Sequence, residues 1–132
     1  MAIYHDSPDV SYHLGRWLAV ADAIERSTFG ADETGRETNA IRYFSRFVAQ
    51  PFATLQFLRP TVNTYLTKLG KASPGLRIYF ERQLSEISNR ILELVPPEKV
   101  SAPFTLSPMM ALGFDSQRYV KSNESKTIKE DK

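Results

Sequence analysis

The 132 residues contain no cysteine. That excludes disulfides, thiolate zinc ligands and a cysteine nucleophile, and it suits a reducing compartment. Histidine is scarce, with only His5 and His13. A metal centre needs several convergent His, Cys or carboxylate ligands, so no metal site is expected. Neither histidine has the neighbours of a Ser-His-acid set, and no glycine-rich phosphate loop occurs. Glu81 and Glu86 stand among arginines, which suits ion pairs rather than acid–base work. The expectation is a chain with no cofactor and no catalysis. No apolar run approaches the roughly 18 residues that span a membrane. The first residues, MAIYHDSPDV, lack the basic-then-apolar order of a secretory signal. The expected location is cytoplasmic.

The most informative absence is local. Residues 38–80 contain no Asp or Glu, although 15 acids are spread over the rest of the chain. Chance alone would place about five in a stretch of that length. The same stretch holds six basic residues: Arg42, Arg46, Arg59, Lys68, Lys71 and Arg77. The overall net charge of +2 therefore hides a basic segment beside an acidic remainder. One reading is a face for a polyanion. The other is a buried segment with few charges of any kind.

What is present reads as helix. A mass of 15.0 kDa fits one domain with a core that needs no staples. Ser7-Pro8 resembles a helix start, with Ser7 as N-cap. Leu14, Trp17, Leu18, Ala21 and Ile24 then form one apolar face to about Ser27, with Asp22 and Arg26 paired on the other side. Gly15 inside this helix suggests close approach of a neighbour. FGADETGRE over 29–37 reads as a loop. Thr38 or Asn39 caps a second helix with Ile41, Phe44, Phe47 and Val48 on its apolar side and Arg42 and Arg46 opposite. Pro51 ends it and opens a third, in which Pro60 predicts a kink or break and Gly70 a C-terminal cap.

Ser73-Pro74 starts a fourth helix, with Leu76, Phe80, Leu84, Ile87, Ile91 and Leu94 at helical spacing. Its outer side carries Arg77–Glu81, Arg82–Glu86 and Glu86–Arg90 pairs, a self-neutralising surface. Ser107-Pro108 starts a last helix with Met109, Leu112 and Tyr119, ending near Lys121. Strand alternation is absent. The expected fold is all-α, a compact bundle of about five helices over 1–121, followed by a mobile charged tail over 122–132. Most aromatics of the basic stretch fall at core spacing. Tyr43, Phe57 and Tyr79 lie off the apolar faces and are the better candidates for stacking nucleobases. Met110 and its neighbour Met109 read as core filling.

Three segments carry a resemblance. SYHLGRWLAVADAIE over 11–25 resembles the Leu-Gly-Arg-x-x-Ala-Val helix near the C-terminus of the large subunit of the type I-C CRISPR interference complex, Cascade. GLRIYFERQLSEISNRI over 75–91 is similar to that family's Gly-Leu-x-Ile-Tyr-aromatic helix. ALGFDSQR over 111–118 is similar to its Leu-Gly-aromatic-x-x-Gln-Arg motif, although family members often have a second aromatic and a His where Asp115 and Ser116 stand here. Being far shorter than that large subunit and starting at its own Met, the chain resembles the system's small subunit, which is produced by internal translation.

The resemblance implies a non-catalytic helical bundle in the belly of the complex. It would touch backbone and large subunits, the crRNA-guided complex, the non-target single-stranded DNA and another copy of itself. No membrane is implied, and without the family's N-terminal part no protospacer-adjacent-motif reading is expected. The six basic residues would then contact phosphates without reading sequence. The alternative is a helical interaction module that packs on backbone subunits and never touches nucleic acid. A helix-turn-helix regulator is weaker, because the Pro51 junction supplies no convincing recognition pair.

Overall fold

The computed structural model describes residues 3–30, 37–99 and 104–118. Within them the chain is all helical, with no strand. The elements are α1 (Val10–Phe29), α2 (Asn39–Arg42), α3 (Phe44–Ala49), α4 (Pro51–Ala72), α5 (Pro74–Leu94), a 3-10 turn (Pro97–Lys99) and a last helix, α6, over 109–118. The expected tail lies outside the described residues, as do Tyr119 and Lys121.

The bundle is built round α1, which packs on α2, α4 and α5. Its apolar face is as expected, but the burial goes all the way round. Every residue from 11 to 22 is buried, including Ser11, His13, Arg16 and Asp22. A helix enclosed on all sides must satisfy its polar groups internally, and it does so at both ends. Near its C-terminal end, Asp22 accepts from the Thr38 hydroxyl and pairs with Arg26 at 2.9 Å. Glu25 accepts from the Asn39 backbone N–H at 2.8 Å and side chain at 3.0 Å. These carboxylates hold the start of α2, where Thr38 is the N-cap. The Asp22–Arg26 pair is thus present, but its acid is buried rather than on a solvated side. α1 also runs two residues past the expected end and stops at Gly30, whose φ of 83° suits glycine.

At the other end, α1 and α6 cross in backbone contact. A β-carbon on Gly15 would collide with the Met110 carbonyl, and one on Gly113 with the Tyr12 carbonyl. The contact is reciprocal, so each Leu-Gly pair admits the other helix. Ser107 binds Ser11 Oγ through its N–H at 2.9 Å, and its hydroxyl donates to Asp9 at 3.1 Å. Arg16 lies beneath this crossing, 2% exposed. Its Nε donates to Gln117 Oε1 at 3.1 Å and its Nη1 to His13 Nδ1 at 3.0 Å. Gln117 in turn donates to Gln83 on α5 at 2.6 Å. Ser116 is fully buried and Asp115 exposed at the two places where the resemblance departs.

A guanidinium cannot accept a proton, so His13 Nδ1 must be the acceptor and Nε2–H donates to the Ser7 carbonyl at 2.8 Å. The ring is held neutral. Burial is the main cause that pushes its pKa below the ordinary 6.5, opposed by the Ser7 hydrogen bond and helped by Arg16, Arg90 and His5. A depressed histidine contributes stability above its unfolded value and loses it as pH falls through the folded value. The melting temperature should therefore drop between about pH 7 and about pH 5, and a His13→Gln chain should lose that part of the drop. Thermal unfolding of both chains across this range checks it; an unchanged pH profile in the variant would contradict it.

Other elements depart from expectation for local reasons. Asp9, not Ser7, caps α1, accepting from Ser11 N–H at 2.8 Å. The expected second helix is two, interrupted at Tyr43, and Ile41 and Val48 are exposed while Phe47 is fully buried. Of the kink or break expected at Pro60, the break does not occur: α4 continues through it. Proline there frees the carbonyl of Gln56, and both residues lie exposed, where water can serve it. Gly70 is inside α4, not its cap, and the Arg77 side chain lies against it. A single residue, Ser73, separates α4 from α5, and its hydroxyl makes no cap. Leu76 on α5 is exposed, whereas Phe80, Ile87 and Ile91 are buried as expected. Arg90 pairs with Glu93 at 2.9 Å, and its Nη2 donates to the carbonyls of Asp6 and Ser7. It ties down the N-terminal segment rather than decorating a solvated surface.

Candidate nucleic-acid interface

The basic stretch of the sequence becomes α2, α3, α4 and the first two turns of α5. All six of its cationic residues lie at the surface or partly so, and the buried side of these helices is apolar: Phe47, Leu55, Leu58, Val62, Leu66 and Leu69. The segment is therefore neither simply buried nor simply charged. Its core side supplies packing, and its outer side supplies cations with no acid among them.

The six do not form one patch. On α4, Phe57, Lys68 and Lys71 are separated by 11 and 14 residues from the first, which at 3.6 residues per turn returns them to one side within about 40°. They run along about 21 Å of the helix, at 1.5 Å per residue. Arg46, from α3, reaches this line by laying its guanidinium 4.7 Å from the centre of the Phe57 ring. Lys68 rests over the Phe29 ring at the end of α1, at 5.0 Å. Arg42 closes α2 and is exposed. Among the described residues, Arg42, Arg46, Lys68 and Lys71 form no ion pair.

Arg59 and Arg77 stand apart. Arg59 is two residues beyond Phe57, about 200° round the helix. It borders a groove of about 180 Å³ between α4 and α5, lined by Phe52, Leu55, Gln56, Ser88, Ile91, Leu92 and Val95. Arg77 is partly covered, packs on Gly70 and donates to Glu81 at 2.6 Å. Its charge is already matched by an expected partner four residues on.

The aromatic residues divide as the spacing suggests. Phe47, Phe52 and Phe80 are core, and Tyr65 packs against it. Phe57 is 47% exposed and packs in a T-shaped arrangement with Tyr43, centroids 5.1 Å apart and rings at 78°. Tyr79 is partly buried against Phe80. Reading single residues did not reveal the Arg46–Phe57 contact. The Pro51 junction between α3 and α4 brings the two together, and only the three-dimensional path shows that.

Among the described residues no group of three or more His, Cys, Asp or Glu is arranged to hold a metal. No helix among them is long and apolar enough to cross a membrane. No curated protein matches the chain. The family described as CRISPR-associated protein (Cas_Csd1) matches residues 1–120, which takes in all three segments quoted above and every described helix. The chain belongs to the CRISPR-associated Cas_Csd1 family.

Proposed function

We propose that this chain serves as the non-catalytic small subunit of a type I-C CRISPR interference complex. It lines the belly of Cascade beside backbone and large subunits and stabilises the R-loop by contacts to the displaced strand that do not depend on sequence. The observation that carries this reading is the set of exposed cations Arg42, Arg46, Lys68 and Lys71 on α2 to α4, with no acid between positions 38 and 80. A positive track of this kind suits a flexible single strand, which offers phosphates at any sequence. Membership of the family over 1–120 supports the setting. Arg59 and Arg77 belong to the proposed surface by charge, but their placement makes them secondary to the other four.

The test is R-loop stability in the assembled complex. An Arg42→Ala, Arg46→Ala double variant should dissociate from the R-loop faster, by about tenfold, if each phosphate contact is worth a few tenths to one kcal/mol near a surface. An R-loop lifetime equal to that of the wild-type complex removes both residues from the interface.

A second reading, the interaction module, has its own observation. On α5, Ile78 is 58% and Leu92 57% exposed, 14 residues apart on one side, and Leu92 borders the groove that carries Arg59. Apolar side chains in such a position suit a protein neighbour. The two surfaces are on different helices, so one chain can use both.

A further inference from the structure

We propose that Arg46, Phe57 and Tyr43 form a stacking site for one unpaired nucleobase, with the base lying on the outer plane of the Arg46 guanidinium. This rests on the nucleic-acid reading above and assigns it a particular contact.

The inference comes from how the three side chains are held. Phe57 projects from the outer side of α4 and keeps 47% of its surface exposed, whereas the other seven phenylalanines are buried or half-buried. The Tyr43 ring braces it, with centroids 5.1 Å apart. Arg46 places its guanidinium carbon 4.7 Å from the ring centre. The backbone beneath Arg46 is fixed as well. Its carbonyl accepts from Gln50 N–H at 2.8 Å and from the hydroxyl of fully buried Thr54 at 3.1 Å. The guanidinium is thus a planar cation held beside an aromatic ring at the surface, where a second flat group can reach its plane. Nucleobases stack on arginine planes and on aromatic rings alike, and every base has such a face.

Two similar contacts in the chain show what a merely structural pairing looks like. Arg118 lies 5.3 Å from the Phe114 ring, and Lys68 lies 5.0 Å from that of Phe29. Phe114 is buried and Phe29 is half-buried at the end of α1. Lysine also has no plane on which a base could stack. Arg46 combines an exposed supporting ring, a planar head and a position on the cationic line with Lys68 and Lys71. A base seated there would leave its flanking phosphates free to meet those charges.

The experiment uses the full-length purified chain and two labelled strands of about a dozen nucleotides, equal in length and charge. One is oligothymidylate and the other carries abasic sites throughout. Stacking of one base should make the wild-type chain bind the base-bearing strand roughly tenfold more tightly. Arg46→Lys keeps the charge and removes the plane; Phe57→Leu removes the ring and keeps an apolar side chain. Both should bring the ratio near one while leaving the salt dependence of binding as it was.

Equal binding of the two strands by the wild-type chain would overturn the stacking site. So would a ratio that survives Arg46→Lys. If the abasic strand still binds with a steep salt slope, the phosphate-contacting reading stands without the stacking site. Binding of neither strand at low salt would remove both.

Discussion

Alanine at Gly15 is expected to lower the melting temperature by about 10 °C, from a loss of about 3 kcal/mol. Helix propensity alone predicts the opposite sign, since Gly→Ala inside a helix gains about 1 kcal/mol. The reversal arises because the new methyl would meet the Met110 carbonyl, part of a backbone that cannot move aside as a flexible side chain could. Gly113→Ala should lose as much, through the Tyr12 carbonyl. Gly75, in the first turn of α5, has nothing within 4 Å of the added carbon and serves as the control. Gly75→Ala should be neutral or slightly stabilising. Thermal unfolding of the three variants decides the matter. A Gly15→Ala chain as stable as Gly75→Ala would mean that α1 and α6 do not cross in backbone contact.

Arg16→Ala should be comparably severe, about 3–5 kcal/mol. The lost guanidinium leaves the Gln117 carbonyl and His13 Nδ1 buried without donors, each worth about 1–3 kcal/mol, and opens a cavity where the stem lay. Burial lowers the pKa of Arg16, yet a guanidinium keeps its proton in a protein, so the charge is carried inside on neutral acceptors. What the site requires is the fork. Arg16 uses Nε and Nη1 in different directions, with His5 Nδ1 3.4 Å from Nη2. Lysine retains the charge but cannot reach these partners together. Arg16→Lys should therefore recover less than half of the loss, measured by denaturant unfolding. Full recovery would show that charge, not geometry, is what the position needs. In neither variant should the salt slope of nucleic-acid binding change, because Arg16 has no exposed surface to offer.

These two residues also show what the sequence could and could not disclose. Gly15 inside a helical pattern pointed to a close neighbour, and the neighbour is the Met110 carbonyl on α6, 95 positions away. The Leu-Gly-Arg and Leu-Gly-aromatic-x-x-Gln-Arg segments read separately as family marks. In the fold they are two halves of one crossing, joined by the Arg16–Gln117 hydrogen bond. The helical nature of nearly every segment was legible because apolar spacing of three and four residues is a local property. Burial of α1 on all sides was not, because it depends on how many neighbours surround a helix. Asp22 and Arg26 illustrate the difference: their pairing follows from local spacing, but the burial of Asp22 requires Thr38.

Breaks were the least legible feature. Pro60 stands inside an apolar helical run and signals a kink or break, yet α4 passes through it without ending, since the freed carbonyl is on the exposed side. Tyr43, with no such signal, interrupts the second helix. The basic residues were visible as a composition anomaly, but composition has no direction. Only the winding of α4 separates Lys68 and Lys71 from Arg59, and only the Ser73 junction brings Arg77 against Gly70.

The outer side of α2 to α4 is proposed as a phosphate-contacting surface. The most direct measurement is binding of the purified chain to labelled single-stranded DNA over a series of salt concentrations. A variant with Arg42, Arg46, Lys68 and Lys71 all changed to glutamate is measured alongside, and thermal unfolding shows that it is folded. With about four phosphates neutralised, log affinity should fall with log salt at a slope near −3, roughly a fiftyfold loss for a fourfold rise in salt. The variant should bind weakly, with a slope near zero. An equally steep slope in the variant, or no binding by the wild-type chain at low salt, would contradict the claim.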